Sequence, residues 1–92
     1  MESTIAKIAE RVLGYYFDAE DIEIRTGKTG TIAHIDTCVK AYGDGWSAYF
    51  DSAYPDECEP GWRQIKKGPA LSAEIMQKYP AITRVLIHID GD

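Results

Sequence analysis

His34, Asp36 and Cys38 occupy alternate positions in a stretch of period two, and His88 sits in a second such stretch near the C-terminus. Imidazole, carboxylate and thiolate together make a donor set for zinc. Alternate positions on one strand are about 7 Å apart, so two of them share an ion only where the strand bends. No CxxC, HExxH or HxH spacing accompanies them. The pattern reads more simply as polar residues on the solvent face of a sheet, and neither a metal nor another cofactor is expected. A thiol nucleophile would need a base and an orienting acid beside it. Of the two candidates, Cys38 and Cys58, the second stands between Glu57 and Glu59, a setting of like charge that disfavours a thiolate. The string Gly27-Lys28-Thr29-Gly30 contains the end of a phosphate-binding loop, but the upstream glycine and the following helix are missing. It reads as a hairpin turn, and no catalytic residue is assigned.

The pattern with more to say is one of charge and aromaticity. Residues 41–62 carry five carboxylates and no lysine or arginine, which matches the whole net charge of −5 of the 92-residue chain. The same block holds six of the ten aromatic residues: Tyr42, Trp46, Tyr49, Phe50, Tyr54 and Trp62. Aromatic side chains supply anchoring area at an interface, and carboxylates supply complementarity to a basic surface. The residues expected to contact a partner are Asp44, Tyr49, Asp51, Tyr54, Asp56, Glu57 and Glu59.

Several elements must position that block. Ile5, Ile8, Ala9, Val12, Leu13, Tyr16 and Phe17 recur at the spacing of one helical face, which predicts a helix over residues 3–17 capped by Ser3 or Thr4. The period then changes to two. Residues 22–25 and 31–42 form strands around the glycine-bounded turn, with Thr26 opposite Thr31, Ile24 opposite Ala33 and Ile22 opposite Ile35. A two-residue turn at Asp44-Gly45 would pair Ala41 with Ala48 and Val39 with Phe50, keeping one apolar face, with Trp46 and Phe50 in the core. Residues 52–62 break the pattern with two prolines and an acidic cluster, and read as a loop; residues 63–67 add a short strand. A second helix begins near Gly68-Pro69, with Ser72 as its cap, Leu71 and Met76 as a hydrophobic staple and Pro80 as its stop. Residues 82–90 form a last strand, apolar on both faces, with Val85, Ile87 and Ile89 on one side and Leu86 and His88 on the other.

The expected fold is α+β in the order α-β-β-β-(β)-α-β: an antiparallel meander plus a C-terminal strand, in one domain over residues 1–92, with the helices packed on one sheet face. Helix, three strands, helix is similar to the order of the double-stranded RNA-binding domain, and Lys66 and Lys67 precede the second helix roughly where that family places phosphate-binding lysines. The likeness is topological only, since the second helix holds a single lysine, Lys78, and the chain is acidic.

A negative balance disfavours nucleic acid as a direct ligand, and no apolar run approaches the roughly 20 residues that span a bilayer. The opening residues lack the pattern of a signal peptide, so a cytoplasmic location with reduced thiols is expected. The function expected is that of a small acidic protein-interaction module. It would inhibit or regulate a partner by covering a basic surface, one that itself handles nucleic acid, in the manner of anti-defence or immunity proteins. Two further readings are a small-molecule-binding or enzymatic subunit that uses the polar sheet face around His34 and Asp36, and a structural subunit that pairs into a homodimer through an open sheet edge.

Overall fold

The computed structural model describes residues 1–38 and 47–91. Over these residues the fold is α+β, with two helices and one mixed sheet of five strands. Helix α1 is Glu2–Leu13, and a 3-10 turn at Ala19–Asp21 leads into β1, Ile22–Gly27. Strands β2 (Gly30–Cys38), β3 (Ser47–Asp51) and β4 (Trp62–Gln64) follow, then α2 (Gly68–Lys78) and β5 (Ile82–Asp90).

Helix α1 ends four residues earlier than the periodicity predicts. Gly14 adopts a left-handed conformation (φ 86°) and its N–H closes on the Glu10 carbonyl, a glycine C-cap that outweighs the apolar residues beyond it. Phe17 still reaches the core, whereas Tyr16 is 74% exposed and does not belong to the buried stripe. Neither Ser3 nor Thr4 caps α1, which starts at Glu2. In α2, Pro69 lies in the first turn, where its missing N–H costs nothing. Ser72 is therefore inside the helix, with its hydroxyl donating to the Pro69 carbonyl at 3.1 Å, and is not the cap.

The first hairpin has the predicted register, with Ile22, Ile24 and Thr26 opposite Ile35, Ala33 and Thr31. The predicted meander is not formed. The strand order is β1-β2-β5-β3-β4: β5 lies between β2 and β3, parallel to β2 and antiparallel to β3. Phe50 faces Ile87 and Ala48 faces Ile89. Their expected partners Val39 and Ala41, the turn at Asp44-Gly45, Tyr42 and Trp46 lie outside the described residues. The apolar character of both faces of β5 matches this central place. The likeness to the RNA-binding domain's order ends here, because a last strand fills the middle of the sheet.

Along β5 the buried residues are Ile82, then Val85, Ile87 and Ile89, so the inward parity changes once. The register against β2 slips at the same point: Thr31 faces Ile82 and Ile32 faces Arg84. Thr83 is the extra residue of a bulge, and its hydroxyl donates to the Thr31 carbonyl at 3.2 Å. Gly30 (φ 132°) lies against it, and a Cβ there would collide with the Thr83 hydroxyl.

One core cluster joins Ile5, Ile8 and Leu13 of α1, Leu71 and Ile75 of α2, and the inward residues of β1, β2, β3 and β5. Where α2 begins the packing is close, since a Cβ on Gly68 would overlap the ring of Phe50. An exposed ion pair between Arg11 and Glu74 ties the helices together.

Candidate functional site

The side chains of opposite parity build the other sheet face. On β3, Tyr49 lies opposite His88 of β5, and on the far side β4 runs parallel with Ser47 opposite Trp62. The consequence is a cluster of three rings. The Tyr49 and His88 centroids are 5.1 Å apart, Trp62 and His88 5.5 Å, and Tyr49 and Trp62 6.3 Å. The planes are inclined by 48° to 79°, the tilted and edge-to-face geometry that ring quadrupoles favour.

The connection from β3 to β4 forms the wall above this floor. Parallel neighbours cannot be joined by a tight hairpin, so residues 52–61 must travel back along the sheet. Backbone bonds from Tyr54 N–H to the Asp51 carbonyl, Glu57 N–H to Tyr54 and Trp62 N–H to Glu59 fold this stretch into successive turns. Gln64 donates to the Pro55 carbonyl at 2.6 Å, and Gly61 takes the left-handed φ of 87° before β4. A cavity of about 580 Å³ opens between loop and sheet. Tyr49, Trp62 and His88 line it on the sheet side, and Asp56, Glu57, Cys58 and Glu59 on the loop side. Among the described residues, no lysine or arginine lines it.

The loop is anchored at its root by Asp51. This residue, grouped by sequence with the exposed carboxylates, is 1% exposed, because Arg84 of β5 closes over it with two guanidinium hydrogen bonds. The Ala53 N–H donates to the same carboxylate at 2.9 Å and the Tyr49 hydroxyl at 3.4 Å. Desolvation pushes the Asp51 carboxyl up, but the Arg84 and Ala53 hydrogen bonds and the Arg84 charge outweigh it and leave the pKa below the ordinary value. Burial, then the neighbouring Asp51 charge, pushes the Tyr49 phenol up, so Tyr49 keeps its proton at neutral pH. Ser52 completes the anchor: its N–H donates to the Val85 carbonyl and its hydroxyl accepts from the Val85 N–H. The Arg84 guanidinium lies 5.5 Å from the centre of the Tyr54 ring, which is itself 53% exposed.

Of the residues expected from sequence to contact a partner, Tyr49, Asp56, Glu57 and Glu59 thus meet at one cavity. Tyr54 stands beside it over Arg84, Asp51 lies beneath the loop, and Asp44 is outside the described residues. Trp62 and His88 are the additions: they join Tyr49 only through the β4-β3-β5 adjacency, which residue spacing does not reveal. Asp36 lies next to His88 in the register, and His34 faces Leu86. Burial first and Arg25 second hold the His34 imidazole below its ordinary pKa, against Glu23 and Asp36. Among the described residues, no three His, Cys, Asp or Glu side chains are grouped so as to hold a metal ion. Cys38 is exposed and Cys58 half-buried, and both are free thiols. No described helix is long and apolar enough to cross a membrane. Comparison with protein-family models, curated proteins and solved structures finds no match to this chain.

Proposed function

We propose that this chain is a small acidic interaction module that binds a basic surface of a partner protein through the β3-β4 loop and the ring cluster below it. Both helices are taken to cover the apolar sheet face, which leaves the opposite face to the partner. The observation that carries the reading is the convergence of Tyr49, Trp62 and His88 with Asp56, Glu57 and Glu59 at one cavity. Anchoring rings beside carboxylates that share the cavity, among the described residues, with no lysine or arginine are the two ingredients of a contact steered by charge and held by buried area. A basic surface of this kind commonly serves nucleic acid, so covering it would make the module an inhibitor or regulator.

The concavity also favours a second reading, a small cationic ligand, since about 580 Å³ falls within the range of small-molecule sites. Affinity capture from the native host and its phages or competitors separates the two readings. The bait is compared with the variant in which Asp56→Asn, Glu57→Gln and Glu59→Gln are combined, and with a control carrying Glu10→Gln and Glu20→Gln on the opposite part of the sequence. The module reading expects a basic protein that is retained by bait and control, released by salt and lost from the triple variant. Equal retention by all three baits would overturn it.

A further inference from the structure

We propose that the cavity between β3, β4, β5 and the loop is a receptor for a guanidinium group, an arginine side chain presented by the basic partner. This rests on the module reading and names the chemical group recognised at that site. The observation is independent of the acidic residues as such. Three half-buried rings from three different strands converge on one cavity floor, inclined to one another by 48° to 79°. An apolar ligand would have no use for a rim of three carboxylates, and an anion would be repelled by it. A cation satisfies both, because a ring face attracts positive charge and a carboxylate pairs with it.

Among cations, the guanidinium fits the two surfaces best. It is planar, so that it lies against a ring, and it presents several N–H donors in one plane to a carboxylate at the rim. An ammonium is a compact and strongly hydrated point charge that gains less from a ring floor. The molecule already contains the same pairing on a smaller scale beside the cavity: Arg84 lies over the Tyr54 ring while its donors grip Asp51. Because Arg84 is committed to that bond, it does not neutralise the rim.

The test is a titration of the intact protein, followed by NMR at the Trp62 indole N–H and the His88 ring, with four capped tripeptides Gly-X-Gly. The central residue is arginine, citrulline, lysine or trimethyllysine. Trp46→Phe serves to assign the Trp62 indole. The proposal expects saturable shifts with the arginine peptide, binding at least fivefold weaker with lysine and tenfold weaker with the uncharged citrulline, and a loss of at least fivefold on Glu57→Gln with Glu59→Gln. Equal binding of arginine and citrulline peptides, or no saturable shift at Trp62 and His88, would overturn the proposal. Tighter binding of trimethyllysine than of arginine would also overturn it, in favour of an onium site. These outcomes are separable from failure of the module reading: a partner lost from the triple amide bait, with no arginine response at Trp62, leaves the module standing and removes only the guanidinium receptor.

Discussion

Replacing Arg84 by Met removes the cation from a carboxylate that has nowhere to go. Asp51 is 1% exposed, whereas the Arg84 side chain is 34% exposed, so the two partners are unequal. Arg84 freed of Asp51 can turn to water, but among the described residues Asp51 without Arg84 keeps only the Ala53 N–H and the Tyr49 hydroxyl. Breaking a fully buried pair costs about 3–5 kcal/mol. The partial exposure of Arg84 screens part of that, which lowers the expected loss to roughly 2–4 kcal/mol at pH 7. The sign of the pH dependence sharpens the test. In the native protein the Asp51 pKa lies below its unfolded value, so its contribution is complete above the ordinary carboxylate range and is lost as pH falls through the native value. In Arg84→Met, desolvation is opposed only by the Ala53 and Tyr49 donors, so the native pKa of Asp51 moves up from its wild-type position. The stability that Asp51 adds above the carboxylate range is therefore smaller in the variant, and the gap between the two proteins widens as pH rises through that range. Urea unfolding of both proteins at a series of pH values reads the gap directly. It should narrow toward the roughly 1 kcal/mol of a neutral hydrogen bond as Asp51 becomes protonated. A gap below about 1 kcal/mol at pH 7, or one that is the same at pH 3 and pH 7, would refute the argument that Asp51 is a buried anion held by Arg84.

Phe50→Ala should cost roughly 3–5 kcal/mol in urea unfolding, since the ring is 1% exposed and packed under α2; a loss under about 1 kcal/mol would mean that the ring is not a core residue. Gly68→Ala, which adds a methyl against that ring, should cost roughly 1–3 kcal/mol by overpacking, and an unchanged midpoint would show that α2 has room to shift. Both cysteines should titrate with a thiol reagent in the unfolded protein without prior reduction, and in the folded protein the exposed Cys38 should react before the half-buried Cys58. Recovery of no free thiol from fresh protein would count against a reducing compartment.

The register of the first hairpin was legible because β1 and β2 each have one apolar face and share a short glycine-bounded turn, so only one pairing keeps the faces together. The same matching of faces misleads for β3. Phe50 and Ala48 present the same apolar face whether their neighbour is β2 or β5, and periodicity does not tell a hairpin partner from a strand inserted 30 residues later. The two apolar faces of β5 were the available sign of a central strand. Gly14 was the available sign for the end of α1, obscured by Tyr16 and Phe17 continuing the spacing of the stripe. At the site, the acidic half could be read from one contiguous run, Asp56 to Glu59. The aromatic floor could not, because Tyr49, Trp62 and His88 come from three strands that only the sheet order brings together. The burial of Asp51 depends likewise on Arg84, 33 residues away.

In the proposed function, the carboxylates at the cavity rim bring a basic partner to this face. The most direct measurement is the association rate of the captured partner with the native protein and with the combined Asp56→Asn, Glu57→Gln, Glu59→Gln variant across a range of ionic strength. Charge at the rim of an interface acts mainly on approach, and its effect is screened by salt. The association rate of the variant should be about tenfold lower at low salt, with a flattened salt dependence and little change in dissociation. Unchanged association kinetics at low salt would contradict it, for the acidic loop would then serve only solubility and the contact would lie elsewhere on the molecule.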